Sequence, residues 1–258
     1  MIIQRVSQNK FAACDDEGRR AGTARVRRLV MDRIFPDRPV QYVIEVESSP
    51  ESRHLLYGAA VSRARVLASE EPAAHRVYAD VDGTDSLSLE ILGALGFKNR
   101  DGIVRMVKPV TNERVLQQLP QGFTMVRDFL QNPAEFQKCL KRYNECFCAK
   151  NDASWLRSIM EYPNFARLMV VSQSGIASEL MVWSSGSTGV IGIIQTARDM
   201  RGRGFATYLL EDARKYFAKL GLKSMSFDVW RASPGCMPLA ESADFKASKI
   251  LRVYPEMV

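Results

Sequence analysis

Residues 194–206 read IQTARDMRGRGFA and carry the most informative pattern in the chain. A β-branched strand predicted over residues 190–196 runs into a glycine- and arginine-rich loop, and an amphipathic helix predicted over residues 205–220 follows. Glycines let backbone N–H groups approach an anion closely, and a helix N-terminus adds free N–H donors and about half a positive charge. The pattern therefore predicts a binding site for a diphosphate. Its glycines and arginines are Arg198, Arg201, Gly202, Arg203 and Gly204.

Two other phosphate-binding motifs do not fit this loop. The pattern Gly-x-x-x-x-Gly-Lys-Ser/Thr is absent, and Thr207 stands where a dinucleotide fingerprint needs its third glycine. What remains is Arg-x-x-Gly-x-Ala, from Arg201 to Ala206. This resembles the acetyl-CoA loop of the GCN5-related N-acetyltransferases (GNAT), whose signature is Gln/Arg-x-x-Gly-x-Gly/Ala.

The order of elements extends the resemblance over nearly all of residues 122–258. In the family, a strand after the loop leads to an Asn, a short helix with a Tyr, and a Gly-Phe pair. Leu239 and Phe245 match this later motif, whereas Ser233 stands at the Asn position and Ala240 at the Tyr position. Strands are predicted at 168–172, 177–183, 190–196, 224–230 and 249–254, and helices at 133–148, 154–160, 205–220 and 238–243.

The first half repeats the order strand, helix, strand, short helix, strand in a shorter form. We therefore predict a mixed α/β fold of two tandem GNAT domains, each a mixed central sheet flanked by helices. The polar stretch 108–122 sets the predicted domains at 1–112 and 113–258. Residues 53–58 stand where the first half would have its loop, and Leu56 replaces the key glycine. The first domain is thus predicted to be a truncated, degenerate copy.

The resemblance implies an N-acetyltransferase that moves an acetyl group from acetyl-CoA to a primary amine by direct attack, in the C-terminal domain. Backbone groups at Ile194 and Thr196 would hold the pantetheine arm, and the loop would hold the diphosphate. Ser233 would reach the cofactor where Asn usually does. The predicted cofactor-binding residues are Ile194, Gln195, Thr196, Arg201, Gly202, Arg203, Gly204, Phe205, Ala206 and Ser233.

Candidate catalytic residues are fewer. Glu179, in the strand predicted over 177–183, is the first candidate for a general base, and its alternative is an outward-facing charge. Asp228 is the second, with a structural hydrogen-bonding role as its alternative. The family's usual acid is a Tyr, so Ala240 leaves that role to Tyr254 or to water. Alternatively no acid is needed, because a thiol with a pKa of about 8.5 is a tolerable leaving group.

Composition limits the other possibilities. The chain has 258 residues, 46% hydrophobic and 25% charged residues, which is typical of a globular protein. No apolar run approaches the roughly 18 residues of a membrane helix, and no signal peptide is evident, so we expect a cytoplasmic protein without a membrane partner. Five cysteines fit reduced thiols. His54 and His75 lack metal-ligand spacing, so no metal is predicted.

The sequence does not identify the amine that accepts the acetyl group, and both a small molecule and a peptide fit. A non-catalytic acyl-CoA sensor or interaction module is the alternative function. The formal net charge of +7 favours anionic partners. Nucleic acid ranks low, because no basic stripe carries interleaved aromatic residues. A monomer and a homodimer are both expected possibilities.

Overall fold

The computed structural model describes residues 1–111, 118–233 and 235–257. Contacts divide the chain into two compact units. The first takes its described residues from Met1–Val104, Trp230–Ser233 and Ile250–Val258, and the second from Arg105–Val229 and Pro234–Lys249. Each unit is therefore built from separate segments of the sequence. The predicted boundary between residues 112 and 113 lies outside the described residues.

The first unit contains most of the elements of the first half. In chain order these are β1 (Ile2–Ser7), β2 (Lys10–Cys14), β3 (Arg20–Val30), β4 (Val40–Ser48), α1 (Pro50–Ser69), β5 (His75–Ala79), β6 (Val81–Asp82), α2 (Ser86–Ala94) and β7 (Phe97–Pro109). The residues of β7 after Val104 belong to the second unit.

The sheet of the first unit is mixed. Strands β1 to β4 pair antiparallel in sequence order, and β4 pairs parallel with β5. Helix α1 forms the crossover connection between the parallel strands β4 and β5, and it packs on β3 and β4. Its inward face buries Leu56, Ala60, Val61 and Ala64 against the sheet. These side chains form the core of the unit together with buried residues of the sheet such as Val26, Ile44 and Val77.

A buried carboxylate joins three separate segments of the first unit. Asp101 Oδ2 accepts from Arg76 Nη1 at 2.9 Å and from the Trp230 indole Nε1 at 2.7 Å. Asp101 Oδ1 accepts from the backbone N–H groups of Gly102 at 2.7 Å and Ala232 at 3.0 Å. The side chains of Asp101 and Arg76 are 4% and 2% exposed. The carboxylate thus holds the residues after Trp230 in the first unit.

The second unit contains the remaining elements. They are β8 (Thr124–Asp128), α3 (Pro133–Cys146), α4 (Ala153–Met160), β9 (Ala166–Ser172), β10 (Gly175–Ser185), β11 (Thr188–Thr196), α5 (Phe205–Lys219), β12 (Ser224–Trp230), α6 (Cys236–Ser242) and β13 (Lys246–Met257). The last residues of β12 and β13 belong to the first unit.

Strands β8 to β11 pair antiparallel in sequence order, and β11 pairs parallel with β12 through the crossover helix α5. Helix α5 packs on β9, β10 and β11. It buries Phe205, Leu209, Leu210, Ala213 and Phe217 along one face, as its helical spacing predicts. Burial of these side chains at about 2 kcal/mol each fixes the position of the helix start, where the glycine loop ends.

The mixed α/β fold class predicted from the sequence is confirmed. The predicted helices and strands of the second half all exist, with ends shifted by a few residues. Strands β1 and β8 were not predicted. Among the described residues, no helix is both long and apolar enough to span a membrane.

Replacing Asp101 tests the buried carboxylate. We expect Asp101→Ala to lower the free energy of unfolding by about 3 kcal/mol, because the buried Arg76 then loses its hydrogen-bonded carboxylate and keeps only the ion pair with Glu256. Urea unfolding followed by circular dichroism measures the change. The exposed Asp37→Asn serves as control and should shift stability by less than about 0.5 kcal/mol. Equal stability of the two variants would contradict the assigned role.

Candidate functional site

The ladder between β11 and β12 ends halfway along β11. The parallel partners run from Thr188 and Ser224 to Ile191 and Phe227, and the described residues form no further pairs. Strand β11 nevertheless continues to Thr196. Its last residues are therefore paired with β10 on one side and open on the other. An open strand edge inside a sheet leaves backbone donors and acceptors available to a ligand.

A β-bulge at Gly192 accompanies this divergence. Met181 of β10 pairs with Ile193, and the next residue, Val182, pairs with Ile191, so Gly192 is the extra residue of β11. A Cβ on Gly192 would lie 1.9 Å from the Trp183 ring. Only glycine fits there, because the indole occupies the space of any side chain.

The register identifies the backbone groups on the open edge. The Ala197 N–H donates to the Ala177 carbonyl at 2.9 Å, and the Gln195 carbonyl accepts from Ser178 Oγ at 3.0 Å. The backbone of residues 195 and 197 thus faces β10. Because the direction alternates along a strand, the N–H and C=O groups of Ile194 and Thr196 face the open side. These are the two residues for which the sequence predicted contacts with a pantetheine arm.

The loop after β11 has an open concave backbone. Gly202 and Gly204 both have a positive φ, +76° and +79°, and Gly204 is the N-cap of α5. A Cβ on Gly202 would meet nothing within 4 Å, and one on Gly204 would meet only the Tyr208 ring, at 3.8 Å. Within the described part of the chain, the amides of residues 201–207 donate no hydrogen bond. Side chains thus do not fill the predicted diphosphate cradle.

Cations surround this cradle. Arg198, Arg201 and Arg203 are all exposed. Arg201 Nε donates to the Thr196 carbonyl at 3.4 Å, which ties the loop to the open end of β11. Arg198 and Arg203 have no ion-pair partner among the described residues, so their charges are available to an anion. Backbone amides, a helix N-terminus and free guanidiniums together favour a phosphate group.

Glu179 is buried beside β11 and is held by two arginines. Its Oε1 accepts from Arg142 Nε at 2.9 Å, and its Oε2 accepts from Arg167 Nε at 2.7 Å. The Gln195 side chain also donates to Oε1. Glu179 therefore does not carry the outward-facing charge that was its alternative. A carboxylate has about four lone-pair positions, and three side chains already donate to those of Glu179. Few acceptor positions therefore remain for a proton from a substrate.

Helix α3 covers this carboxylate. Burial is the largest single effect and lowers the pKa of Arg142, but the hydrogen bond to Glu179 and the nearby negative charges together outweigh it and raise that pKa. Burial also raises the pKa of the neighbouring Cys139 thiol to about 11. Arg167 is fully buried and also lies 3.3 Å from Asp128 Oδ2. The polar group is thus a compact ion network inside the second unit.

The remaining candidate residues are Ser233, Tyr254 and Asp228. Ser233 and Tyr254 belong to the first unit, whereas the loop belongs to the second. Tyr254 packs against Tyr78 and Trp230, with ring centroids 5.2 and 5.6 Å apart, and burial raises its pKa. Asp228 accepts from Arg105 Nε and Nη2, both at 2.7 Å, in keeping with its structural alternative.

The remaining loop residues can contribute only backbone groups. The Phe205 side chain is 1% exposed, and its ring lies 4.6 Å from that of Phe123. Ala206 is half-buried on the next position of α5. The Gln195 amide points to Glu179, so it orients β11 rather than reaching into the loop. Gln195, Phe205 and Ala206 therefore stay predicted cofactor contacts, through their backbone groups.

Sequence reasoning missed Gly192, Arg142 and Tyr208. Gly192 interrupts the β-branched run of β11, and an isolated glycine inside a strand is a recognised signal of a bulge. Arg142 had no local signal, because its partner Glu179 is distant in sequence. Tyr208 follows the glycine loop, and its hydroxyl donates to the Gln118 carbonyl. Among the described residues, no group of His, Cys, Asp and Glu is arranged to hold a metal ion.

Comparisons with known proteins support the fold. No family model matches the sequence, and no curated protein does. A crystal structure of a GCN5-related N-acetyltransferase from Sphaerobacter thermophilus matches with a TM-score of 0.57 at 17% identity, over 98% of this chain and 81% of that one. A tandem GNAT protein from the clavulanic acid biosynthesis pathway matches at 0.52 and 11% identity, over 96% of this chain and 81% of that one.

A third structure, from Enterococcus faecalis V583, is described as a conserved protein of unknown function and probable N-acyltransferase. It matches with a TM-score of 0.57 at 13% identity, over 96% of this chain and 61% of that one. Identities this low establish the fold alone. The chain therefore shares the fold of these structures, two of which are GCN5-related N-acetyltransferase (GNAT) proteins.

Proposed function

We propose that the protein is an N-acetyltransferase that transfers an acetyl group from acetyl-CoA to a primary amine, with its active centre in the second unit. One observation carries the proposal: the open edge of β11 leads directly into a loop whose amides at residues 201–207 are unpaired. Unpaired backbone amides are costly unless a ligand or water accepts from them. A long, anionic ligand with an amide-bearing arm fits both features together.

The residues fit acetyl-CoA in three ways. The amides around Gly202 and Gly204 suit a diphosphate, and the open space at both Cα atoms allows close approach. The exposed Arg198 and Arg203 suit further phosphate charge. The edge groups of Ile194 and Thr196 suit an extended arm that pairs like an added strand. When bound, acetyl-CoA supplies an activated acetyl thioester.

The chain's own groups would bind the acetyl thioester and orient it toward the amine. An N–H on the open edge of β11 can stabilise negative charge on an acyl oxygen. A lysine-like amine has to lose a proton, which costs about 4.6 kcal/mol at pH 7 for a pKa of about 10.4. Positioning of the two reactants offsets that cost, since effective molarities are worth about 7–11 kcal/mol. A proton path through water suffices for this chemistry.

The acceptor would bind against the half-buried aromatic side chains of the second unit. The rings of Tyr143 and Trp155 lie 4.3 Å apart between α3 and α4, and Tyr162 stacks on Trp183 at 5.3 Å. Trp183 also packs on the bulge at Gly192. These rings favour the apolar part of an amine, in a small molecule or in a peptide.

The first unit is proposed to be a degenerate copy without a cofactor loop. Only Ser49 separates β4 from α1, whereas residues 197–204 separate β11 from α5. Leu56 is fully buried inside α1. A helix that starts directly at the strand end has no loop whose amides could surround a diphosphate.

A non-catalytic acyl-CoA sensor is the second candidate. Ala240 is completely buried in α6 and has no hydroxyl with which to donate a proton. Acetyl-CoA binding without acetyl transfer to any member of a broad amine panel would favour this candidate. Transfer to any amine, measured by release of free CoA thiol, would support the enzyme.

Gly204→Glu tests the diphosphate cradle. Its positive φ strains the new residue, and its carboxylate adds negative charge where the diphosphate would bind. We expect at least a tenfold loss of acetyl-CoA affinity in isothermal titration calorimetry. The matched control is Gly186→Glu in the β10–β11 turn, where φ is +57° and a Cβ meets nothing. Unchanged binding in Gly204→Glu would refute the proposed cofactor site.

Glu179→Gln distinguishes a base from a positioning residue. The ion network predicts a positioning role, so the variant should lose about 3 kcal/mol of stability and show a lower maximal rate with an unchanged pH profile. Chemical unfolding and the pH dependence of kcat/KM measure these effects. Loss of the acidic limb of the profile at unchanged stability would instead assign Glu179 as the base.

A further inference from the structure

The first unit contains a cleft that the proposed acetyl transfer does not use. Its volume is about 480 Å³, within the range of small-molecule sites. It lies between the C-terminal half of α1, the start of β5, the end of α2 and the end of β13. The described residues that line it are Arg38, Arg65, His75, Arg76, Val77, Leu95, Gly96, Glu256 and Met257.

Positive charge predominates in this cleft. Three guanidiniums line it, and Glu256 supplies the one carboxylate among the described lining residues. Glu256 Oε1 pairs with Arg38 Nη1, and Glu256 Oε2 lies 3.0 Å from Arg76 Nε. Arg65 Nη2 donates to the Leu95 carbonyl at 3.1 Å, which leaves its charge without a carboxylate partner. The lining and the buried Asp101 that pairs with Arg76 together have an excess of about one positive charge.

The guanidinium of Arg76 has an unmet hydrogen-bond donor. Its side chain is 2% exposed, and its Nη1 is used by Asp101 at 2.9 Å. Its Nη2 has no hydrogen-bond partner among the described residues, and its Nε lies at ion-pair distance from Glu256 Oε2 without forming a hydrogen bond. A buried charged donor without an acceptor is destabilising. An acceptor in the cleft would remove that penalty.

The rest of the lining is apolar. Val77, Leu95 and Met257 provide carbon surface beside the arginines. Gly96 has a φ of +90°, and a Cβ there would meet nothing, so no side chain narrows the cleft at the end of α2. An apolar wall with a few convergent charged groups is the usual build of a ligand site. Planar guanidiniums favour carboxylate or phosphate oxygens, which accept two bonds at once.

We propose that this cleft binds a small organic anion, through a carboxylate or phosphate group held by Arg65 and Arg76 with its carbon skeleton on Leu95 and Met257. Of the three arginines in the cleft, Arg65 lies in the C-terminal half of α1, Arg76 in β5 and Arg38 just before β4. The inference does not depend on acetyl transfer, because every lining residue belongs to the first unit.

Calorimetric titration of the full chain tests the site with three probes. Succinate and inorganic phosphate present the two oxyanion chemistries, and succinamide is the uncharged match of succinate. We expect binding of succinate, phosphate or both, and none of succinamide. Binding of only one anion identifies which of the two chemistries the cleft takes. Absence of binding by both anions would overturn the proposal.

Substitutions at the rim localise the binding without disturbing the buried Arg76–Asp101 pair. Arg65→Gln should lower the affinity for the anion about tenfold. Glu256→Gln should raise that affinity severalfold, because Arg38 and Arg76 lose their competing carboxylate. Arg63→Gln is the matched control: it lies on the same helix, bonds to Asn9 instead, and should leave affinity unchanged. An anion affinity that is the same in the wild type, Arg65→Gln and Glu256→Gln would overturn the assigned site.

The same titration separates this site from the proposed acetyl-CoA loop. Gly204→Glu changes only the second unit, so it should keep full anion affinity in the cleft. Loss of anion binding in Gly204→Glu would place the anion at the glycine loop and overturn the cleft assignment. Retained binding together with the Arg65 effect would support it, whatever the outcome for acetyl transfer.

Discussion

The early end of the β11–β12 ladder is the constraint on which the candidate site depends. If the pairing continued past Ile191 and Phe227, β12 would occupy the backbone groups of Ile194 and Thr196. The bulge at Gly192 accompanies the divergence, and the Trp183 ring fills the space of a side chain there. The strand edge thus becomes accessible beside a position where the Trp183 indole leaves room only for glycine.

The glycine loop adds further free backbone amides next to the open edge of β11. Helix α5 is held in place by its buried face, so the amides at its start point out of the fold at a fixed place. Positive φ values at Gly202 and Gly204 turn the intervening backbone without a side chain in the way. The buried ion network around Glu179 holds the opposite side of β11 through Gln195. The site is therefore mostly backbone, supported by side chains behind it.

Local patterns explain which parts of the fold could be predicted. The amphipathic spacing of α5 and the β-branched run of β11 are signals carried by neighbouring residues, and both elements were predicted nearly to their ends. Strand β8, with the sequence TMVRD, is short and adjoins a polar segment, so it gave no comparable signal. The sequence offered Glu179 as a possible base without revealing its partners Arg142 and Arg167, which are 37 and 12 residues away in the chain.

The sequence alone determined the loop, its glycines, its cations and the strand and helix that flank them, because these are features of one continuous stretch governed by local backbone preferences. The tertiary structure decided that β12 leaves β11 after Ile191, that Glu179 is shared between two arginines, and that Ser233 and Tyr254 join the first unit. These outcomes depend on contacts between distant residues, whose burial and pairing energies no single segment encodes.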